Sequence, residues 1–502
     1  MAIELSNITF TAQDDIVPAS GIERILNTGI ANTLAGNDII NGETGSTMYT
    51  VSPLHYGGIV NTGTLNTDGG NDRLTGIFND QTSHFFTNYS INCGICNVKG
   101  FINTGDGNDT LTGILDIQNP DDPNDYYGIL NQNGIIDTGE GDDKIISINN
   151  ITNTFYSYNI GIQNSGTFTT GNGNDITMGN GYTGLINYYP GTFDTNDGND
   201  TITGIGTRGE GISNFGPINT GNGDDILSGT SNNTNGIGNY NNGSIDTGDG
   251  NDTIASTGVI INTGSIDSGN GNDSIIVEQN GFWSYVSSST NEGIINTNNG
   301  NDSIIFHGGL SNRGGVFLGD GNDSLIVDPT PLLALENFNT IETGDGDDTI
   351  TSSSLIYNFG IINTGNGDDS IVVDGAINVY TGNVCSIYNN GGAIITGDGN
   401  DSIIANEGFE SAPNGSGAWF LGEGDDYIKG FGSGDFYGGN GNDTLELTPG
   451  TYRVGIWGEG GESPIFTKGN QLMITSEFEK LIAGGTIYDF TSLTAGQIIV
   501  VA

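Results

Sequence analysis

One phrase, Thr-Gly-x-Gly-Asn/Asp-Asp-x-Ile or a close variant, recurs sixteen times along the chain, each time ending in an aspartate two residues before a β-forming residue. The closing aspartates are Asp38, Asp72, Asp109, Asp143, Asp175, Asp200, Asp225, Asp252, Asp273, Asp302, Asp323, Asp348, Asp369, Asp401, Asp426 and Asp443. A single globular core has no use for one acidic turn repeated this often. A stack of identical turns does, if positive charge lies between the rungs.

The turns recur at intervals of 17 to 37 residues, and short β-runs of period two separate them. A shortest full version runs Thr-Ile-Ala-Ser-Thr-Gly-Val-Ile-Ile-Asn-Thr-Gly-Ser-Ile-Asp-Ser-Gly-Asn-Gly-Asn-Asp to Asp273. Gly and Asn punctuate the runs, as residues that tolerate positive φ in tight turns do. No stretch has sustained helical periodicity; Gly21-Ile-Glu-Arg-Ile-Leu26 alone looks helix-like. One unit cannot bury its apolar side, but stacked units pile their isoleucines into a continuous column. The expected fold is therefore all-β: a right-handed parallel β-helix or β-roll solenoid of about sixteen coils with terminal caps, roughly 75 Å long at the ordinary strand spacing.

Length varies between the turns and not within them. Inserts at 75–92, 113–127, 146–160 and 276–292 are expected to bulge from one side, carrying Phe85, Phe86, Tyr126, Tyr127, Tyr156, Tyr158, Trp283 and Tyr285. Residues 1–33 read as an N-terminal cap, 34–446 as the repeats, and 447–502 as a C-terminal β cap. Four of the ten basic residues, Lys429, Arg453, Lys468 and Lys480, lie at or beyond position 429.

The charge balance narrows the partners. Sixty acids face ten bases, a formal net charge of -50, which argues against nucleic acid and anionic membrane, since both select basic surfaces. A chain this acidic can be disordered, but the regular recurrence of Ile, Leu, Val and Phe beside the glycines argues otherwise. Salt adaptation would also raise acidity without gathering the acids into one phrase. No stretch approaches eighteen apolar residues, so no transmembrane helix is expected, and the start lacks a basic and apolar signal pattern. Cys93-Gly-Ile-Cys96 has redox-like spacing on a strand-like segment with no helix behind it, and reads as small filler; Cys385 is single.

Stacked carboxylates about 4.8 Å apart repel by roughly 3.5 kcal/mol at an effective dielectric of 20. Ten Lys and Arg cannot neutralise that ladder. Calcium can, taking six to eight carboxylate and carbonyl oxygens in flexible geometry, whereas magnesium prefers stricter octahedra. One ion between each pair of successive turns makes about fifteen Ca²⁺. The sixteen aspartates are the expected metal ligands, with no catalytic residues and no other cofactor.

Gly438-Gly-Asn-Gly-Asn-Asp-Thr-Leu445 and Gly105-Asp-Gly-Asn-Asp109 resemble the nonapeptide of the RTX, or hemolysin-type, calcium-binding proteins. The resemblance covers roughly 34–446 and implies ions shared between successive turns. RTX repeats run back to back with sites on both edges, whereas here the opposite turn is a neutral Asn-x-Gly, as at Asn262-Thr-Gly264; a single file of ions is expected. The tail resembles the uncleaved C-terminal end of type I-secreted RTX proteins, implying an export signal.

An enzyme is not indicated. Only His55, His84 and His307 are available, and neither His-Glu-x-x-His nor a Gly-x-Ser-x-Gly elbow is present. Asp121, Asp122 and Asp125 form the least repeat-like acidic cluster, and a proline-interrupted loop explains them equally well. The chain is also similar to the oscillin-like, glycine- and aspartate-rich sheath proteins of filamentous cyanobacteria. That implies an extracellular, cell-surface structural protein forming a fibre, sheath or S-layer-like coat, with homo-oligomeric or end-to-end partners. The alternative is a secreted adhesin binding cell-surface polysaccharide through the aromatic inserts; less favoured is a polysaccharide-modifying β-helix enzyme.

Overall fold

The structure is a computed structural model that describes residues 2–18, 23–44, 55–80, 91–117, 125–151, 159–233, 236–278, 288–328, 335–411, 417–458 and 463–502. The chain forms two compact units, Met1–Ser268 with Asn280–Trp283, and Gly269–Gln279 with Ser284–Ala502. Within each unit the chain coils as a right-handed parallel β-helix with three sheets, I, II and III, in that order around each coil.

The coil beginning at Arg24 shows the plan for the first unit. Arg24–Asn27 lies in sheet I, Ile30–Asn32 in sheet II, the acidic turn follows, and Ile39–Glu43 lies in sheet III. Each strand pairs in parallel with its equivalent one coil on: Ile25 faces Ile59, Asn32 faces Asn66, and Ile40 faces Leu74. Inward residues therefore stack on like residues. Ile59, Ile95, Ile129, Ile162, Leu185 and Ile212 form one fully buried column. Full burial of each such side chain is worth about 1.5–3 kcal/mol, which supplies the core that no single coil could. Aromatics stack the same way where they enter: Phe168 and Phe193 lie 4.5 Å apart and nearly parallel.

The second unit repeats the plan, with Ile304, Leu325, Ile350, Ile371 and Ile403 stacked in sheet III. At its C-terminal end Gln471–Ser476 and Lys480–Ala483 still pair in parallel with the last repeat strands. Gly450–Trp457, Ser463–Lys468 and Ile498–Val501 add antiparallel pairs instead.

The Asn-x-Gly corner differs from its sequence reading. The asparagines do not serve positive φ. They point inward, almost fully buried, and form an amide ladder. Asn27 Nδ2 donates to Asn61 Oδ1 at 2.8 Å and to the Thr64 carbonyl at 2.8 Å. The pattern runs through Asn97, Asn131, Asn164, Asn187, Asn214, Asn241 and Asn262. In the second unit it runs from Asn291 through Asn312, Asn337 and Asn358 to Asn389. The adjoining glycines answer to crowding: a Cβ on Gly63 would lie 2.0 Å from the Gly29 carbonyl oxygen.

Further sequence readings change in detail. Arg24–Leu26, within the helix-like stretch, is strand; Gly21 and Ile22 lie outside the described residues. Strand occupies much of the proposed inserts, as at Arg73–Asp80 and Asp125–Gln132. Tyr126 and Tyr127 belong to that second strand and are buried, not displayed. Phe85, Phe86, Tyr156, Tyr158, Trp283 and Tyr285 lie outside the described residues. Cys93 and Cys96 are bonded to each other, both buried in strand Ile91–Val98 against Val60, Tyr127 and Leu130. A bond across three residues of one strand constrains little chain.

The ladder sets a stability expectation. Asn131→Ala removes the donors to Asn164 and Thr167 and takes one of the acceptors of the Asn97 amide. It is expected to cost about 2–4 kcal/mol, measured by urea unfolding.

Candidate metal centre

Every acidic turn is built on the same backbone. The second glycine of the phrase has φ between +134° at Gly424 and +156° at Gly250, and glycine occupies that place in all sixteen copies. A Cβ on Gly107 would also lie 1.7 Å from the Gly70 carbonyl oxygen. The first glycine is replaceable. Leu34, Asp68, Asn196 and Asn298 hold that place at φ between 61° and 69°, the left-handed region that Asn and Asp tolerate and Leu seldom enters.

The two residues after this backbone clasp neighbouring coils in opposite directions. The Asn71 Oδ1 accepts the N–H of Asn108, one coil on, at 2.9 Å. Asn108 does the same for Asp142, and Asp142 for Asn174. The closing aspartate reaches backwards: Asp109 Oδ1 accepts the N–H of Asp72 at 2.7 Å. This second clasp links Asp38 to Asp72, and Asp109 through Asp143, Asp175, Asp200 and Asp225 to Asp252. In the second unit it links Asp273, Asp302, Asp323, Asp348, Asp369, Asp401, Asp426 and Asp443. All sixteen aspartates are buried, none more than 2% exposed.

One oxygen per carboxylate is therefore spoken for. The other is not. The Oδ2 atoms of Asp72, Asp109, Asp143, Asp175, Asp200 and Asp225 are buried with no hydrogen-bond donor, as are those of Asp302, Asp323, Asp348, Asp369, Asp401, Asp426 and Asp443. A threonine of the same turn stands beside most of them, but its single proton goes elsewhere: Thr104 Oγ1 donates to the Thr138 carbonyl at 3.0 Å. Among the described residues no three His, Cys, Asp or Glu converge, so backbone oxygen must complete any cation site. The Gly105 and Gly107 carbonyls face the next coil's glycines, 2.0 Å from where Cβ atoms on Gly139 and Gly141 would lie. A buried, donor-less carboxylate oxygen, in a turn whose glycines let backbone carbonyls of adjacent coils come close, suits a hard cation of flexible coordination.

Burial pushes these carboxyls up, opposed by the hydrogen bond from the preceding aspartate's N–H. Asp143 rises to about 8, Asp109, Asp175 and Asp225 to about 7, and Asp72 and Asp200 to about 6. In the second unit Asp323, Asp369 and Asp426 rise to about 7 and Asp443 to about 6.

Two rungs escaped the sequence reading. Asp14-Asp15 forms both clasps without the glycines: Asn37 N–H donates to Asp14 Oδ1 at 2.8 Å, and Asp15 N–H to Asp38 Oδ1 at 2.7 Å. At the other end Glu479 Oε2 accepts the Asp443 N–H at 2.7 Å. The signals were the Asp-Asp-Ile-Val run and an acid directly before the strand Lys480–Ala483. Of the other singled-out residues, His307 lies 3.7 Å from Glu278 and 3.8 Å from Asp328 on a solvent-exposed face. Asp125 is exposed at a strand start. The His55 side chain, His84, Asp121 and Asp122 lie outside the described residues.

No family model matches the chain, and no curated protein does, so the RTX likeness of the turns finds no family match. Among solved structures the chain is similar to a hyperactive, Ca²⁺-dependent, β-helical antifreeze protein from an Antarctic bacterium. Identity is 17% over 81% of this chain and 83% of that one, with a TM-score of 0.31. A likeness at that level fixes the role of no residue here.

Two outcomes follow from the turn. Gly107→Ala is expected to destabilise by about 3 kcal/mol or more, through strain and a backbone clash; thermal melts of the variant and the wild type measure it. The pH dependence has a definite sign. Carboxyls whose folded pKa is raised stabilise the fold fully below their unfolded value near 4, and lose that contribution as pH rises through about 6–8. In EDTA the protein should melt higher at about pH 5 than at about pH 8.5, with calcium removing the difference. A flat profile in EDTA would contradict the burial argument.

Proposed function

We propose that the chain is an extracellular structural protein whose fold is held by calcium, with the sixteen closing aspartates as ligands and an ion between successive rungs, about fifteen in all. The observation that carries this reading is the row of buried carboxylate oxygens without donors. When bound, calcium supplies positive charge and oxygen affinity to that row. The aspartates orient the turn through the backward clasp, and the invariant glycines let backbone oxygens approach. Sites of this kind load at the millimolar calcium found outside cells. No helix among the described residues is long and apolar enough to cross a membrane.

A non-catalytic coat, sheath or fibre is favoured over an adhesin because the described aromatics are largely occupied with one another. Phe338 and Phe359 stack at 5.0 Å, Trp419 and Phe436 at 4.3 Å, and Phe420 and Tyr437 at 4.9 Å. The most exposed rings, Tyr189, Trp457 and Tyr380, come from separate coils. Residues 1–33 and 447–502 are proposed as caps, the latter also as a type I export signal, and copies are proposed to associate end to end.

Circular dichroism in EDTA and then in calcium tests the reading. Disorder, or a weakened β signal, should give way to full β structure as sites and fold form together; a β signal indifferent to chelator at neutral pH would sink it. Electron microscopy of the calcium-loaded protein separates filaments from single particles, and single particles alone would remove the fibre.

A further inference from the structure

The hydroxyl column beside the carboxylates is interrupted at Leu318, in the turn of Asp323, and again at the last two repeat rungs. Thr343, Thr364 and Thr396 stand in the turns of Asp348, Asp369 and Asp401, and each donates to the carbonyl one coil on. In the next turn the equivalent residue is Leu421, and in the following one Gly438. Asp426 and Asp443 thus have no neighbouring hydroxyl at all, yet both are buried, with Oδ2 lacking any donor.

The chain returns at this point to close the unit. Gln471–Ser476 pairs with Gly434–Asn440, and Lys480–Ala483 with Thr444–Leu447. Between them, Glu477-Phe478-Glu479 stands where an acidic turn would be. This link is shorter than an acidic turn, and a longer acid compensates. Glu479 Oε2 takes the Asp443 N–H as each rung's aspartate takes that of the rung before it. The Glu479 and Lys480 N–H groups both return to the Asp443 carbonyl, at 3.1 and 2.9 Å. Glu477 adopts φ of +62°, and its carbonyl oxygen lies 2.0 Å from where a Cβ on Gly438 would be. That close approach requires glycine where most other turns carry threonine.

We propose that Glu479 is a cation ligand, completing with Asp443 and backbone oxygens a terminal site in which one divalent ion latches the closing segment 471–483 onto the last repeat rung. The proposal rests on the calcium reading above and goes beyond it, since it assigns a ligand outside the repeated phrase and a task to the ion. The charge of Glu479 is what matters. Gln at 479 keeps an oxygen for the Asp443 N–H and removes only the negative charge.

The test uses the full chain with Ca²⁺ as the probe, following bound ions per chain by calorimetry and amide exchange at 343–348 and 477–483. In the wild type, calcium should protect both segments. Glu479→Gln should bind one ion fewer and lose calcium-dependent protection at 477–483 while keeping it at 343–348; Glu479→Ala should do the same and raise exchange at 477–483 even in EDTA. If Glu479→Gln binds as many ions as the wild type and 477–483 is protected as before, Glu479 is a hydrogen-bond acceptor only and the latch is overturned, with the calcium reading intact. If neither wild-type segment responds to calcium, the calcium reading fails and the latch with it.

Discussion

Parallel coiling sets each residue directly against its equivalent one coil away, and that register governs everything else in the molecule. An apolar residue meets an apolar residue and the column builds itself. A buried polar group is more demanding, because its partner must be found in a copy of the same group. Only side chains that can hydrogen-bond to their own kind, or to the backbone one coil away, can be repeated inside such a fold without an accumulating penalty.

The two inner corners answer this demand differently. Asparagine carries both donor and acceptor, so Asn61 gives one proton to Asn97 Oδ1 and one to the Phe101 carbonyl, while its own oxygen receives Asn27. That ladder closes on itself. Aspartate carries acceptors only. Its Oδ1 is satisfied by an N–H of the previous coil, and its Oδ2 is left over on rung after rung.

This asymmetry explains what the sequence disclosed. The closing aspartates and their spacing were legible because turn backbone, glycine and carboxylate are fixed together, and sixteen copies make the pattern plain. The asparagine ladder was visible as Asn-x-Gly yet misread as turn chemistry, since an inward amide and a turn-forming one have the same letter. Asp14-Asp15 and Glu479 were hidden because their clasps use the oxygens of the repeat without its glycines. The Cys93–Cys96 bond depends on the local path of one strand, which spacing alone does not give.

Neutralising the leftover oxygen could be done by a proton or by a cation, and the two differ in what they do for the fold. A proton satisfies one carboxylate and ties nothing to its neighbour; burial already favours it, lifting Asp143 to about 8. A divalent ion needs several oxygens, so it must draw on more than one rung or on the backbone between rungs. It therefore adds cohesion along the very direction in which the coils would otherwise repel. Replacing the aspartates by asparagine throughout would remove the repulsion without any ion. That the chain keeps an acceptor-only residue at all sixteen turns, directly opposite a corner that has solved the problem with amides, is the strongest reason to read the acidic corner as a place for cations.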